Sequence, residues 1–211
     1  MSNTTDSINP IQRSNPMPIE PVTLSNDVVT LEPLSLSHCS DITQAIDPDV
    51  FMYMPMRSAV VTSNQVRRYI EFQMQRDNAV VFAVIDNATG RAVGSTSYMN
   101  IRHEHYGLEI GSTWISKSSR GTKINPSMKY LMLKHAIEDL GAIRVEFRTD
   151  ARNSHSRAAI LKLGASYEGL MRNHIIMPDG HFRETAVYTI TPEQWDDVSQ
   201  RLLKRISNAT I

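Results

Sequence analysis

The chain is nearly devoid of cysteine. Cys39 is the single thiol among 211 residues, so an intramolecular disulfide and a cysteine-based metal cluster are both excluded. Ser37, His38 and Asp41 lie beside it, but catalytic thiols draw their partners from distant parts of a sequence, and a small residue near a helix start is the plainer reading. Long apolar runs are also missing. The stretch from Ala79 to Ile85 is the longest, well short of the ~20 residues that cross a bilayer. The first twenty residues have neither a basic head nor an apolar stretch, which predicts no secretory signal, no membrane partner and a cytoplasmic protein. The sequons at Asn3, Asn87 and Asn208 then carry no weight, because glycosylation requires secretion. Net charge is absent too: 22 Lys and Arg balance 22 Asp and Glu. Bulk attraction to nucleic acid is therefore not expected, and any anion site must be local.

What is present fits a soluble globular chain, with 41% hydrophobic and 21% charged residues. Residues 1–21 hold Pro10, Pro16, Pro18 and Pro21 among polar residues and read as a flexible lead-in. Residues 22–206 are expected to form one domain, and 207–211 a tail.

Within that domain the hydrophobic period switches repeatedly. Val28 to Leu34 reads as a strand, and Ser37 is expected to cap a short helix with Ile42, Ala45 and Ile46 on one side. Thr62 or Ser63 starts a clearer helix in which Val66, Tyr69, Ile70, Gln73 and Met74 share a face. Ala79–Ile85 and Ala92–Met99 form a hairpin across Asp86 to Gly90. Gly107 to Ile115 is the next strand, with Gly111 as a bulge or point of close approach. Asn125 is expected to cap a helix that has Pro126 at its first position and Gly141 at its close. Ile143, Val145 and Phe147 alternate with Arg144, Glu146 and Arg148, the pattern of a half-buried strand. A helix from Asn153 or Ser154 ends at Gly164. Strands near Tyr167–Met177 and Phe182–Ile190 meet across Pro178-Asp179-Gly180. Thr191-Pro192-Glu193-Gln194 is a capping box, opening a last helix with Trp195, Val198 and Leu202 inward. The sum is an α+β domain with a mixed, mostly antiparallel central sheet flanked by helices.

One absence inside the chain points to chemistry. No acidic residue occurs between Glu109 and Glu138, while Lys117, Arg120, Lys123, Lys129 and Lys134 all fall there. The window runs from a strand through Ser116-Lys117-Ser118-Ser119-Arg120-Gly121-Thr122-Lys123-Ile124-Asn125 into a helix. A helix start offers unpaired N–H groups and the positive end of its dipole, so strand, glycine-bearing basic loop and helix together suit a phosphate or pyrophosphate. A solvated loop between two core elements would read the same way. The loop is neither a Walker loop nor a dinucleotide fingerprint.

Arg120-Gly121-Thr122-Lys123-Ile124-Asn125 resembles the Arg/Gln-x-x-Gly-x-Gly/Ala pyrophosphate loop of the GNAT acetyltransferase superfamily, in the form carried by its RimJ/RimL-like branch. The same branch is matched downstream by Asn153-Ser154-His155-Ser156-Arg157-Ala158-Ala159 and by Leu161-Lys162-Leu163-Gly164-Ala165. Tyr167-Glu168-Gly169, Arg172, Asp179-Gly180-His181, Arg183-Glu184-Thr185, Tyr188 and Trp195 follow in the branch's order. The resemblance runs from about Val22 to about Leu202. One departure stands out: Lys123 occupies the place of the loop's second glycine. A lysine is tolerated there if the backbone already has negative φ, and its ammonium can reach a phosphate or narrow the site.

The resemblance implies an N-acetyltransferase that uses acetyl-CoA as cosubstrate without a metal, by direct attack of a primary amine on the thioester. The acceptor would be a protein N-terminus or a small amine. Lys117 to Asn125 would hold the cofactor, with Arg120, Gly121, Thr122, Lys123 and Ile124 between them, and main-chain N–H near Trp114 and Ile115 would polarise the carbonyl. Glu109 is the candidate base, since a protonated amine has no lone pair to attack with. A carboxylate merely facing solvent from a strand is the plain alternative. Ser156 falls where the family places its acid or thiol-side hydrogen bond, Asn153 where it bonds the pantetheine arm, and Arg157 beside them on the cofactor side.

Other residues invite functional readings that plainer ones match. His103-Glu104-His105 lacks a third ligand nearby and reads as a solvated loop. His181, Tyr53 and Tyr98 are possible walls of an acceptor cleft, with turn or core packing as the alternative. Met52, Met54 and Met56 form a flexible apolar edge. A homodimer through a strand or the last helix is compatible with the sequence. The rival functions are a catalytically silent acyl-CoA-binding module and a basic-loop RNA binder. The zero net charge and the lack of aromatic–basic interleaving count against the second.

Overall fold

The computed structural model describes residues 16–55 and 62–208. Within them, β1 (Leu24–Ser25), β2 (Val29–Pro33), β3 (Ala79–Asp86), β4 (Arg91–Arg102), β5 (Gly107–Ile115), β6 (Arg144–Asp150), β7 (Ser166–Ile176) and β8 (Phe182–Ile190) form a single sheet. Its spatial order is β1-β2-β3-β4-β5-β6-β8-β7. Every pairing is antiparallel except β5 with β6. The expected mixed, mostly antiparallel sheet is observed.

Helices α1 (Cys39–Ala45) and α2 (Ser63–Met74) cover one face, where Ile42, Val66, Tyr69 and Ile70 pack with Phe51, Ala83, Ala92 and Trp114. Helices α3 (Ile124–Lys134), α4 (Ser154–Leu163) and α5 (Pro192–Asn208) belong to the other face. There Met128, Met132, Leu133, Ile160, Trp195 and Val198 close over Phe82, Tyr98, Leu108, Val145, Phe147 and Tyr188. Strand alternation produces the two layers: Leu108 and Ile110 go to the α3 side, Glu109 to the other.

Helix ends follow their local chemistry. At the expected start of α2, Thr62 accepts from Gln65 N–H while the Gln65 side chain accepts from Thr62 N–H, a capping box. Asn153 caps α4 through Ser156 N–H, and Gly164 ends it in the left-handed region at φ 104°. Several expectations need correction. Ser35, not Ser37, precedes the first helical turn, because the His38 ring completes its cap. Met74 is exposed at the end of α2. Ile143 is exposed just before β6, since the strand starts one residue later. Asn125 is not the cap of α3: Lys123 holds that place, and Pro126 stands third in the helix. The final turn of α3 runs on as a wider π-type turn over His135–Asp139 before Gly141. Within the expected lead-in, Met17 is fully buried, its N–H donates to His103 O, and the His103 ring bonds Met17 O at 2.8 Å. Residues from Met17 onward therefore pack on the domain, whereas 1–15, Met56 and 209–211 lie outside the described residues.

The feature that positions the site is a divergence inside the sheet. The strands β5 and β6 pair only over Gly107–Glu109 and Arg144–Glu146. Beyond that seam β5 continues to Ile115 along β4, and β6 continues to Asp150 along β8. A bulge accentuates the split: Ser95 and Ser97 face Trp114 and Gly111, leaving two residues of β5 opposite one of β4. Gly111 flanks the bulge as expected, but the positive φ, 49°, falls on Ser112. A wedge thus opens between two strands in the middle of the sheet.

Candidate active site

At the closed end of the wedge two carboxylates stand side by side in register, Glu109 on β5 and Glu146 on β6, both buried on the face opposite α3. Their surroundings differ. Glu146 takes hydrogen bonds from Arg102 (2.7 Å), Arg144 (2.8 Å) and both Nε and Nη2 of Arg148 (3.0 and 2.6 Å). Burial alone would raise its pKa, but the bonds from Arg144 and Arg148 and the charges around them carry it below the ordinary value. Glu109 has one close partner, Asn100 Nδ2 at 2.7 Å, and Arg148 Nε lies 3.5 Å away. Here burial prevails and pushes the carboxyl up, against the Asn100 bond and the Arg148 charge. One member of the pair is held as a carboxylate, and the other is free to exchange a proton. Gly111 makes room for this: a Cβ there would sit 2.9 Å from Glu109 Oε1 and 2.7 Å from Met99 Sδ.

The polar face continues along β6 and β8. Asp150 is held ionised by Arg152, and burial works against the Arg152 bonds. Arg183 is buried, donates Nη1 to Tyr53 O at 3.3 Å, and has no partner for Nε among the described residues. The His174 ring bonds Thr185 Oγ1 at 3.0 Å. Two cavities open here. One of about 280 Å³ is lined by Asp150, Arg152, His181, Phe182 and Glu184, the other of about 180 Å³ by Phe51, Met52, Met54, Arg152 and Met177. His181, Met52 and Met54 thus border cavities, and Tyr53 reaches this face through its backbone. Tyr98 does not: it is fully buried beneath α3 with its hydroxyl on Met132 O.

At the open end of the wedge the chain turns through a 3-10 turn at Lys117–Ser119 into α3. Lys117, Arg120 and Gly121 are exposed, and Gly121 adopts φ 78° with no atom within 4 Å of where a Cβ would stand. That conformation favours glycine. Thr122 Oγ1 donates to Ser119 O and accepts from Ile124 N–H, tying down the loop. Lys123 has φ −68° and ψ −15°, so this position needs no glycine. Pro126 has no N–H, Ser127 N–H is bound to Lys123 O, and Asn125 N–H is left as a free donor of the first turn among the described residues. Arg120 Nε folds back on Ile115 O at 3.4 Å. Ile124 points into the core, so only its backbone belongs to the loop.

The remaining candidates divide. Ser116 N–H donates to Val93 O on β4, so strand alternation directs Ile115 N–H toward the wedge and Trp114 N–H toward β4. The Trp114 side chain lies under α2, donating to Tyr69 Oη at 3.0 Å. Trp114 is thus a structural residue of the opposite layer. Asn153 spends Oδ1 on the α4 cap, which leaves its amide N–H donors available, and Ser156 sits one turn in. Arg157 is engaged with Tyr188 Oη and Ala151 O, holding α4 to the sheet rather than facing the wedge. The basic run is also thinner than its sequence implies: Lys134 pairs with Glu138, and Lys129 is buried. His103–His105 form an exposed turn with no metal-ligating group of three, and no helix is long and apolar enough to cross a membrane, both among the described residues.

A sheet that splits beside a buried carboxylate, with a basic loop and a helix start across its open end, agrees with the comparisons. The model of the acetyltransferase (GNAT) domain matches residues 29–166, and the chain belongs to that family of acyltransferases. A solved T. thermophilus protein classed as an acetyltransferase is 34% identical over 90% of this chain and 100% of its own, with a TM-score of 0.83. A GCN5-related N-acetyltransferase from Brucella melitensis is 24% identical over 92% and 89%, with a TM-score of 0.85. Mycobacterium smegmatis RimJ, solved with CoA-disulfide, is 20% identical over 87% and 94%, with a TM-score of 0.71. Among proteins of curated function no sequence match is found. The family uses acetyl-CoA; here Ile115 N–H faces the wedge, and Asn125 N–H lies in the first turn of α3, after a loop that carries Lys117, Arg120 and Lys123.

Proposed function

We propose that the chain moves the acetyl group of acetyl-CoA to a primary amine, a protein N-terminus or a small amine, by direct attack on the thioester. The observation that carries this reading is the divergence of β5 from β6 immediately after Glu109 and Glu146. It sets an extended slot between a basic loop and a carboxyl group that can take up a proton. In this reading Lys117, Arg120, Lys123 and the Asn125 N–H hold the pyrophosphate, the Asn153 amide bonds the pantetheine arm, and Ile115 N–H polarises the thioester carbonyl. Ser156 orients the sulfur. Glu109 takes the proton from the acceptor, which enters over the face bearing Arg183, His174 and the two cavities. The helical backbone at Lys123 accepts a lysine without strain, which counts against the rival reading of a catalytically silent CoA-binding module.

The test is calorimetric titration with acetyl-CoA and with CoA, for the wild type and for Arg120→Ala/Lys123→Ala. Two charge-assisted phosphate contacts contribute about 1.5–3 kcal/mol each, discounted here for exposure. The double variant should therefore bind about ten- to a hundredfold more weakly, with unchanged thermal unfolding. A panel of amines and peptides with thiol detection then reports the acceptor. No heat from either ligand on folded protein overturns the reading.

A further inference from the structure

Lys129 is a buried ionisable group that this reaction scheme leaves unused. It projects from α3 to the sheet where the strands have parted, with Nζ 2.9 Å from Thr113 Oγ1 on β5 and 5.7 Å from the centre of the Phe147 ring on β6. Both residues lie beyond the last β5–β6 pair, so the amine spans the two walls of the wedge. An ammonium has three N–H donors, and Thr113 is its one hydrogen-bond acceptor among the described residues. Among the described residues no carboxylate pairs with it, unlike Arg102, Arg144 and Arg148 on the opposite face. Behind Thr113 stands the Thr96 hydroxyl of β4, 2.8 Å away and itself next to Met132 Sδ. The groups facing Nζ from β4, β5 and β6 are thus hydroxyls and a ring, none charged. A lone cation in an apolar setting is costly unless an anion appears beside it.

We propose that Lys129 is the acid of the transfer reaction, placed to meet the negative charge that develops on the CoA sulfur. This rests on the acetyl-transfer reading above. The acceptor nitrogen forms its bond to the carbonyl carbon and gives its proton to Glu109. The C–S bond breaks with its electron pair passing to sulfur, Nζ gives a proton to that sulfur, and CoA leaves as the thiol. When the wedge empties, Glu109 releases its proton to water and the neutral Lys129 amine takes one back from water, so both groups are restored and no net proton is gained or lost. Burial lowers the Nζ pKa to about 7 with no other cause, which suits proton donation near neutrality. The Ser156 hydroxyl, an ordinary alcohol, can orient the sulfur but is too weak an acid to replace this role.

The experiment measures kcat and the acetyl-CoA KM from pH 6 to 9 for wild type, Lys129→Met and Thr113→Val, after an acceptor has been found. Met fills the buried site without a charge, so Lys129→Met should unfold no earlier than wild type. Its kcat should fall about ten- to a hundredfold with KM within about threefold, and the decline of kcat on the alkaline side should vanish. Thr113→Val keeps the amine but removes its anchor, and should lose a smaller factor while moving that decline. Retention of kcat within twofold, or an unchanged alkaline limb in Lys129→Met, overturns the proposal. So does acetylation of Lys129 itself by acetyl-CoA, seen by mass spectrometry, because an amide no longer donates a proton. A wild type that binds CoA yet turns over no amine sinks the acetyl-transfer reading first, whereas a fully active Lys129→Met sinks this inference alone.

Discussion

Glu109→Gln should lose about 10²- to 10⁴-fold in kcat/KM, the range for removing a positioned base, and gain thermal stability at neutral pH. Both effects have one cause. Burial lifts the Glu109 carboxyl above its ordinary pKa, so the folded chain holds that proton more tightly than the unfolded chain does. An acid raised in this way favours folding at low pH, and the advantage is lost as pH climbs through its folded value. At neutrality the carboxylate is a burden, supported by Asn100 and a distant Arg148, and a glutamine removes it. Activity moves the opposite way, rising with pH as the same group ionises. Stability of the variant and of the wild type, followed by thermal unfolding between pH 5 and 8, should converge at the acid end. A variant that is less stable at neutrality, or fully active, would show that Glu109 is a structural carboxylate.

Glu146→Ala should cost stability on a larger scale. Removing one partner of a buried ion pair costs about 3–5 kcal/mol, and here Arg102, Arg144 and Arg148 lose a common acceptor. Partial solvent access to the arginines places the loss toward the lower end of that range. The pH dependence has the reverse sign to that of Glu109. Although burial opposes it, the arginine bonds lower the Glu146 pKa, so its contribution is present above the unfolded carboxyl value and fades as pH falls below it. A steeper acid loss of stability in wild type than in Glu146→Ala, measured by urea unfolding, checks this. Glu146→Gln keeps an acceptor of the same shape and should fall between the two. If the Ala and Gln variants both match the wild type in stability, the three arginines are adequately served by water.

The contrast between these two carboxylates marks how far the sequence can be read. Caps, turns and glycine stops are legible because their chemistry is local: Thr62 at the start of α2, Thr191 with Gln194, Asn153 at the start of α4, Gly164 in its left-handed turn. The strand alternation that places Glu109 also pairs it with Glu146, but which of two like residues is neutralised depends on arginines from β4 and β6. Lys129 shows the same limit. In sequence it belongs to a basic run, and only the parting of β5 and β6 converts it to a buried amine. Tyr98, a possible acceptor wall by sequence, anchors α3 from within, since a period of two says which face a residue takes but not what covers that face. Trp114 and Arg157 look like cofactor residues by their neighbours in the chain, and their side chains serve packing instead.

The splay between β5 and β6 has a further consequence for how such a sheet avoids unwanted partners. A strand with unpaired N–H and C=O groups is a template for aggregation when it lies at the margin of a sheet. Here the open edge lies in the interior, walled by β5 and β6 and floored by α3, so a second sheet has no lateral approach to it. On the proposed reading, such a slot admits a single extended thread carrying its own amide groups. Recognition and protection against self-association thereby come from the same geometry, while the exposed margin at β7, with Leu170, Met171 and Ile176 open to solvent, lacks that shelter.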